Sequence, residues 1–183
     1  LTLIIVDAGH GPETPGKRTP DGKLREFHFN VAVAEWVGKF LRAEGIQVHY
    51  THTISRDVPL HERTATANRL RADAFVSIHA NAYGTGWNDA QGIETYIYPR
   101  ASKSSAVLAS NVQSALIAAC KRVDRGVKKA DFAVLRDTHM PAILAECGFM
   151  SNQTEATLLQ NKEYQLQCAR ALTFGILCWL YAK

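Results

Sequence analysis

Nothing in the 183-residue chain approaches the ~20 consecutive apolar residues that a membrane-spanning helix needs. The longest candidate, "LTFGILCWLYA" near the C-terminus, is too short and reads as a packed helix. No two cysteines are spaced C-x-x-C. Cys120, Cys147, Cys168 and Cys178 each lie in an apolar stretch and read as free, buried thiols, which leans towards synthesis in a reducing compartment. No basic stripe interleaves with aromatic residues, so nucleic-acid binding has no support. The net charge of +4, from 21 basic and 17 acidic residues, is spread along the chain. It reads as a solvated face, and it also suits an anionic polymer. There are no repeats, low-complexity tracts or linkers. Residues 1 to 6 are apolar but run straight into a loop, unlike a signal peptide. A chain beginning at Leu1 is expected to be an excised domain or a processed product.

What is present is an ordinary globular composition, 46% apolar and 21% charged. A chain of this length is most simply one domain, residues 1–183, able to bury about 70% of its unfolded surface. Residues 2 to 7 read as a fully apolar strand of the kind found inside a parallel sheet. After a loop, "REFHFNVAVAEWVGKFLRAEG" has helical spacing, with Phe29, Val33, Val37 and Leu41 on one face and Gly45 as the stop. "IQVHYT" reads as a strand, "PLHERTATANRLRAD" as a helix and "AFVSIHAN" as an apolar strand. "GIETYIYP" alternates as a strand does, and residues 102 to 121 form an Ala-rich helix. "AVLRD" reads as a short strand and "PAILAECGFM" as a stronger one. "NQTEATLLQ" opens on a capping pattern, and residues 162 to 181 make a closing helix. Strands alternating with helices predict an α/β fold, a twisted, mostly parallel sheet with helices on both faces.

One loop invites a nucleotide reading. "GPETPGKR" falls within one residue of the phosphate-loop pattern G-x-x-x-x-G-K-[ST]. That loop works by aiming backbone N–H groups at phosphate, with a helix directly behind. Pro12 and Pro15 remove two donors, Glu13 puts negative charge in the way, and Arg18 replaces the hydroxyl residue. Lys17 is followed by the turn "TPDGK". The match is coincidental and no nucleotide is expected.

A different pattern carries chemistry. "LIIVDAGHG" and "FVSIHANA" each deliver a histidine, His10 and His79, at or just past a strand's C-terminal end. In open α/β sheets that edge is where ligands bind. Neutral imidazole is the commonest zinc ligand, and a catalytic zinc needs three protein ligands and an open position. Glu26, opening the first helix, is the natural third candidate, although a carboxylate there also suits the helix dipole. Glu146, in the apolar run "AILAECGF", is expensive to bury without a role or a partner, and a buried ion pair is the alternative.

"VDAGHG", "EFHFN", "LHERTATAN", "FVSIHANA", "GIETYIY" and "PAILAECGFMSN" occur in this order over nearly the whole chain. Together they resemble the zinc-dependent N-acetylmuramoyl-L-alanine amidases of the amidase-3 type, catalytic domains of bacterial autolysins and phage endolysins. The resemblance implies one zinc ion held by His10, Glu26 and His79, with Glu146 as the catalytic glutamate. The substrate it implies is peptidoglycan, cut at the amide joining N-acetylmuramic acid to L-alanine. "THTISRD" departs from the family, with His52 where many members carry arginine. The long "GPETPGKRTPDGKLRE" loop looks more like the endolysin branch.

In the mechanism so implied, zinc lowers the pKa of a water to roughly 7 and polarises the scissile carbonyl. Glu146 takes the water's proton and delivers it to the departing nitrogen, helped by a pKa raised by its apolar strand. Cys147 should point to the opposite face of the strand. His28, His49, His52 and His61 read as surface or packing residues. Arg63 and Asn81 are candidates for substrate contacts or for supporting contacts behind the site, His139 is a candidate substrate contact lining the cleft, and Glu94 is a rival carboxylate on either face of its strand. The expected site of action is the bacterial cell wall, after secretion or, for an endolysin, after release from the host cytoplasm. A wall-binding domain is expected outside this chain. The alternatives are a zinc carboxypeptidase acting on the stem peptide and a non-catalytic wall-binding module. All four metal and catalytic positions being filled argues against the second.

Overall fold

A computed structural model describes residues 1–182. Six strands form one sheet in the order β2-β1-β3-β6-β4-β5. They are β1 (Leu3–Ala8), β2 (Gln47–Tyr50), β3 (Ala74–Asn81), β4 (Ile93–Ile97), β5 (Asp124–Lys129) and β6 (Ala142–Phe149). β2, β1, β3 and β6 run parallel. β4 joins β6 antiparallel and carries β5 parallel to itself. The expected α/β fold with a mostly parallel sheet is what forms.

Alternation along the strands divides the interior in two. Ile4, Val6, Val76, Ile78, Ile143 and Ala145 point to the larger core. That core is closed by α1 (Glu26–Ala43), α3 (Lys103–Cys120) and α6 (Lys162–Tyr181), with α5 (Gln153–Gln160) beside them. The predicted face of α1 is the one buried: Phe29, Val33, Val37 and Leu41 are fully sequestered, each worth about 1.5–3 kcal/mol of apolar burial. Ile5, Phe75, Ala142 and Leu144 point the other way, into a smaller cluster under α2 (Leu60–Arg69) and α4 (Ala133–Arg136). Coverage on this second face is thin near the strands' C-terminal ends, and that gap is where the polar strand residues emerge.

The caps follow sequence. The side chains of Ser102, Asn152 and Asn161 accept backbone N–H groups at the starts of α3, α5 and α6. Gly45, at φ 76°, follows the end of α1 in the left-handed conformation that glycine takes at no steric cost.

Two local expectations fail. "AVLRD" is the short helix α4, not a strand, because Val134 and Leu135 pack on the smaller cluster and its chain turns at Phe132. β5, "DRGVKK", was not foreseen. It is a charged edge strand whose sequence lacks the apolar alternation of a half-buried one, and charge at an edge discourages further pairing. Cys120, Cys147 and Cys168 are buried and Cys178 is partly so, all as thiols. Cys147 points into the larger core, away from the face of Glu146, as alternation requires. Among the described residues no helix is long and apolar enough to cross a membrane.

Candidate metal centre and catalytic cleft

β1 ends at Ala8, and Gly9 and His10 turn the chain over the sheet edge. His10 adopts φ 63°, a left-handed conformation rare outside glycine and worth on the order of 1–3 kcal/mol of strain. Its surroundings enforce it. The Gly9 N–H donates to the Ile78 carbonyl at 3.0 Å, and the Arg63 guanidinium donates to the Ala8 carbonyl at 2.6 Å and also to that of His10. Gly9 leaves the His79 ring its place, because a Cβ there would stand 2.0 Å from the ring and force it to move.

Glu26, the first residue of α1, reaches under this turn and is buried. One carboxylate oxygen lies 3.0 Å from His10 Nε2 and the other 2.9 Å from His79 Nδ1. The second oxygen also accepts Asn30 Nδ2 and the Ala80 N–H, each at 3.2 Å. Burial alone would raise the Glu26 pKa. Hydrogen bonds from His10 and His79 outweigh it and hold the carboxyl well below its usual range. Burial alone would likewise favour a neutral His79, but Glu26 reverses that and raises its pKa. The rings of His10 and His79 meet edge to face at 5.1 Å. One donor atom from each of His10, Glu26 and His79 lies within 4.8 Å of the other two. Two imidazole nitrogens and a carboxylate at that spacing suit zinc. The structure brings together the three residues that the strand-end pattern and the resemblance named.

Behind them lies a support that sequence reasoning missed. His79 Nε2 meets Ser77 Oγ at 3.1 Å, and Ser77 Oγ donates to Asp7 Oδ2 at 2.6 Å. The other Asp7 oxygen accepts Thr51 Oγ1 at 2.6 Å and Arg63 Nη1 at 2.8 Å. Burial would raise the Asp7 pKa, but Arg63, Ser77 and Thr51 together lower it. The available signal was a polar residue at an inward position of each apolar strand, Asp7 in "VDAGHG" and Ser77 in "FVSIHANA". His52 takes the Ala8 N–H on Nδ1 at 3.1 Å. Burial and Arg63, opposed by Asp7, push its pKa down to about 4, so it is a neutral packing residue.

Glu146 stands in register beside His79 on the neighbouring strand. Its Oε2 is buried and has no hydrogen-bond partner among the described residues. Burial, reinforced by Glu26 and Glu94 against the opposing His79, pushes its pKa up to about 8. A buried carboxylate oxygen without a partner is rare in structures that only need to be stable. Glu94 lies on the same face, so its alternation resolves towards the cleft, but it is fully engaged. Asn81 Nδ2 at 2.8 Å and the Tyr96 hydroxyl at 2.6 Å donate to one oxygen, Arg125 at 2.7 Å and Lys128 to the other.

The remaining candidates fare unequally. Arg63 is buried and engaged by Asp7 and the carbonyls of Val58, Ala8 and His10, so it holds the turn, the supporting one of the two roles open to it. His139 is exposed beside Asn68 and the structure does not bring it to the site. Asn81 lines the cleft. His28, His49 and His61 are exposed and stand apart from it.

The cleft opens on both sides of the His–Glu–His cluster. A polar recess of about 580 Å³ is walled by the loop of Pro15 to Pro20 and by Ala82, Gly84 and Thr85. A more apolar recess of about 610 Å³ is walled by Val58, Leu60, Phe132 and Val134. Both reach Lys17 and Glu146. The near phosphate loop is the wall of the first. Its Lys17 carbonyl accepts the Glu26 N–H, Arg18 bridges to Arg25, and the first helix begins only at Glu26.

An open, mostly parallel α/β sheet with converging imidazoles and carboxylates at its strand ends is the build of an enzyme whose ligand sits at that edge. The family described as N-acetylmuramoyl-L-alanine amidase (amidase-3) matches residues 4–178, and the chain belongs to that family of hydrolases. The sporulation-specific N-acetylmuramoyl-L-alanine amidase of Bacillus subtilis (strain 168) is 33% identical over 96% of this chain and 67% of its own length. The N-acetylmuramoyl-L-alanine amidase of Clostridium difficile 630 superposes with a TM-score of 0.94 at 36% identity, covering 100% of this chain and 98% of that one. The catalytic domain of the CD27L endolysin targeting Clostridia difficile shares the fold alone, at 18% identity and a TM-score of 0.78, covering 97% and 98%.

Proposed function

We propose that this domain hydrolyses the amide between N-acetylmuramic acid and L-alanine in peptidoglycan, at the bacterial cell wall, with one zinc ion held by His10, Glu26 and His79. The observation that carries the reading is the pairing of that donor cluster with Glu146, in register beside His79 and with a buried, unpartnered Oε2. The donor set fits zinc in kind and number, and Nδ1 of His79 faces Glu26 at a distance that demands a cation or proton between them. Zinc supplies Lewis acidity there, polarising a carbonyl and acidifying water.

The chain's own residues do the rest. Glu146 accepts the proton of the attacking water and hands it to the alanine nitrogen as the C–N bond breaks, because an amine anion is too poor a leaving group to depart unprotonated. Burial holds its proton affinity near the working range for both transfers. The cleft's two recesses, meeting at Glu146, leave room for substrate on either side of the scissile bond. Membership of the amidase family and the likeness to named amidases support the choice of bond.

Digestion of purified peptidoglycan tests it. The expected products are free N-terminal alanine and intact glycan, with activity lost to a chelator and restored by zinc. Cleavage confined to bonds between stem amino acids would indicate a peptidase instead.

A further inference from the structure

The relay behind His79 fixes more than its position. Asp7 is a buried carboxylate ion-paired with Arg63, so its oxygens only accept. Ser77 Oγ, 2.6 Å from Asp7 Oδ2, must therefore give its single proton to Asp7. That leaves the Ser77 oxygen as an acceptor, and the group it faces is His79 Nε2 at 3.1 Å. Nε2 must then carry the ring proton, and Nδ1 is left to present its lone pair to Glu26. Two acceptors 2.9 Å apart, Nδ1 and the Glu26 oxygen, are held together by a cation between them, a proton or a metal ion that displaces it.

We infer that Ser77, locked onto Asp7, sets the tautomer of His79 so that Nδ1 is the metal-binding atom, making Ser77 a positioning residue of the metal centre. The inference rests on the zinc reading above. Partners of a ligating histidine typically govern metal affinity by about 10–100-fold, because they fix ring orientation and raise basicity. Ser77 is fully buried and is not itself a lining residue of the cleft, so it acts on the centre through the His79 ring it holds.

The test compares Ser77→Ala, Ser77→Thr and Thr51→Val with the wild-type protein by competing bound zinc against a chelator of known affinity. Ser77→Ala is expected to bind zinc about 10–100-fold more weakly. Ser77→Thr, which keeps the hydroxyl, should recover most of that. Thr51→Val removes a different donor to Asp7 and should lower stability with little change in zinc affinity. The second readout is the nitrogen-15 correlation spectrum of metal-free wild-type protein at a pH where the imidazole is neutral, with the His79 proton expected on Nε2. A proton on Nδ1 would overturn the inference, as would undiminished zinc affinity in Ser77→Ala. An equal loss in Thr51→Val would also overturn it, since general loosening would then be the cause. Failure of the wild-type protein to take up zinc would instead overturn the zinc reading, leaving the spectrum to decide the relay.

Discussion

Glu146 and Glu94 face each other in register across the antiparallel β6–β4 pair, on the same side of the sheet, yet their environments separate them. Burial would raise both pKa values. For Glu94, Lys128, Tyr96 and Arg125 outweigh burial and bring it down to about 2. Glu146 has no such partners and rises to about 8. Adjacent carboxyls pushed apart in this way divide their tasks, one fixed as an anion and one able to exchange a proton.

Glu146→Gln should therefore lower kcat by about 10²–10⁴-fold with little change in KM, because it removes proton transfer without removing bulk. Glu94→Gln should act differently. It breaks two buried-end ion pairs, so the loss falls first on thermal stability. By removing a neighbouring negative charge, it also moves the Glu146 pKa down. Release of alanine termini and thermal melting, measured on both variants, separate the two roles.

The raised Glu146 pKa also makes a stability claim about the metal-free protein. A carboxyl whose folded pKa lies above its ordinary 4.5 favours the fold in its protonated form. That contribution is complete below about 4.5 and is lost as pH rises through about 8. Chelated Glu146→Gln should thus melt close to the wild-type protein at pH 4, then increasingly above it up to pH 9. A melting difference that stays constant across that range would show that Glu146 titrates normally.

The legible parts of the molecule were those where one residue contradicts its local pattern. His10, His79 and Glu146 are polar groups in or at the ends of apolar strands, and such breaks stand out against burial energetics. The main strands and helices were legible from periodicity because their apolar faces are the ones the cores bury. β5 was hidden because its pairing relies on backbone hydrogen bonds at an edge, not on apolar alternation. The supporting role of Arg63 could not be told from a substrate contact because its partners, Asp7 and His10, lie more than fifty positions away along the chain, and only folding joins them. Asp7 and Ser77 stood out as polar residues in apolar strands, but their joining to His79 was hidden for the same reason, since β1 and β3 meet only in the sheet.

Arg63 should be among the costliest residues to remove. Arg63→Ala leaves Asp7 as a buried, unpaired charge and releases the carbonyls of Val58, Ala8 and His10. Loss of one partner of a buried pair costs about 3–5 kcal/mol. Arg63→Lys keeps the charge but not the forked geometry, and should recover only part of it. Urea denaturation reads both. The Asp7 pKa is lowered in the fold, so its contribution is present above about 3.8 and is lost as pH falls through the folded value. Acid unfolding of the wild-type protein should accordingly include this step.

Gly9→Ala isolates the approach of the strand-end turn to the proposed metal ligands. The backbone at Gly9 lies outside the left-handed region, so alanine is allowed there conformationally. The obstacle is steric. The new Cβ would stand 2.0 Å from His79 Cε1 and 2.3 Å from Nε2, so the ring must move away from Glu26 and Ser77. Overpacking of this kind costs about 1–3 kcal/mol, which leaves the domain folded. The expected result is a small drop in melting temperature with a large loss of both zinc affinity and amidase activity. Gly86→Ala, where nothing lies within 4 Å of the added carbon, should leave all three unchanged. Wild-type zinc affinity in Gly9→Ala would mean that the His79 ring has freedom to shift that its hydrogen bonds to Glu26 and Ser77 argue against.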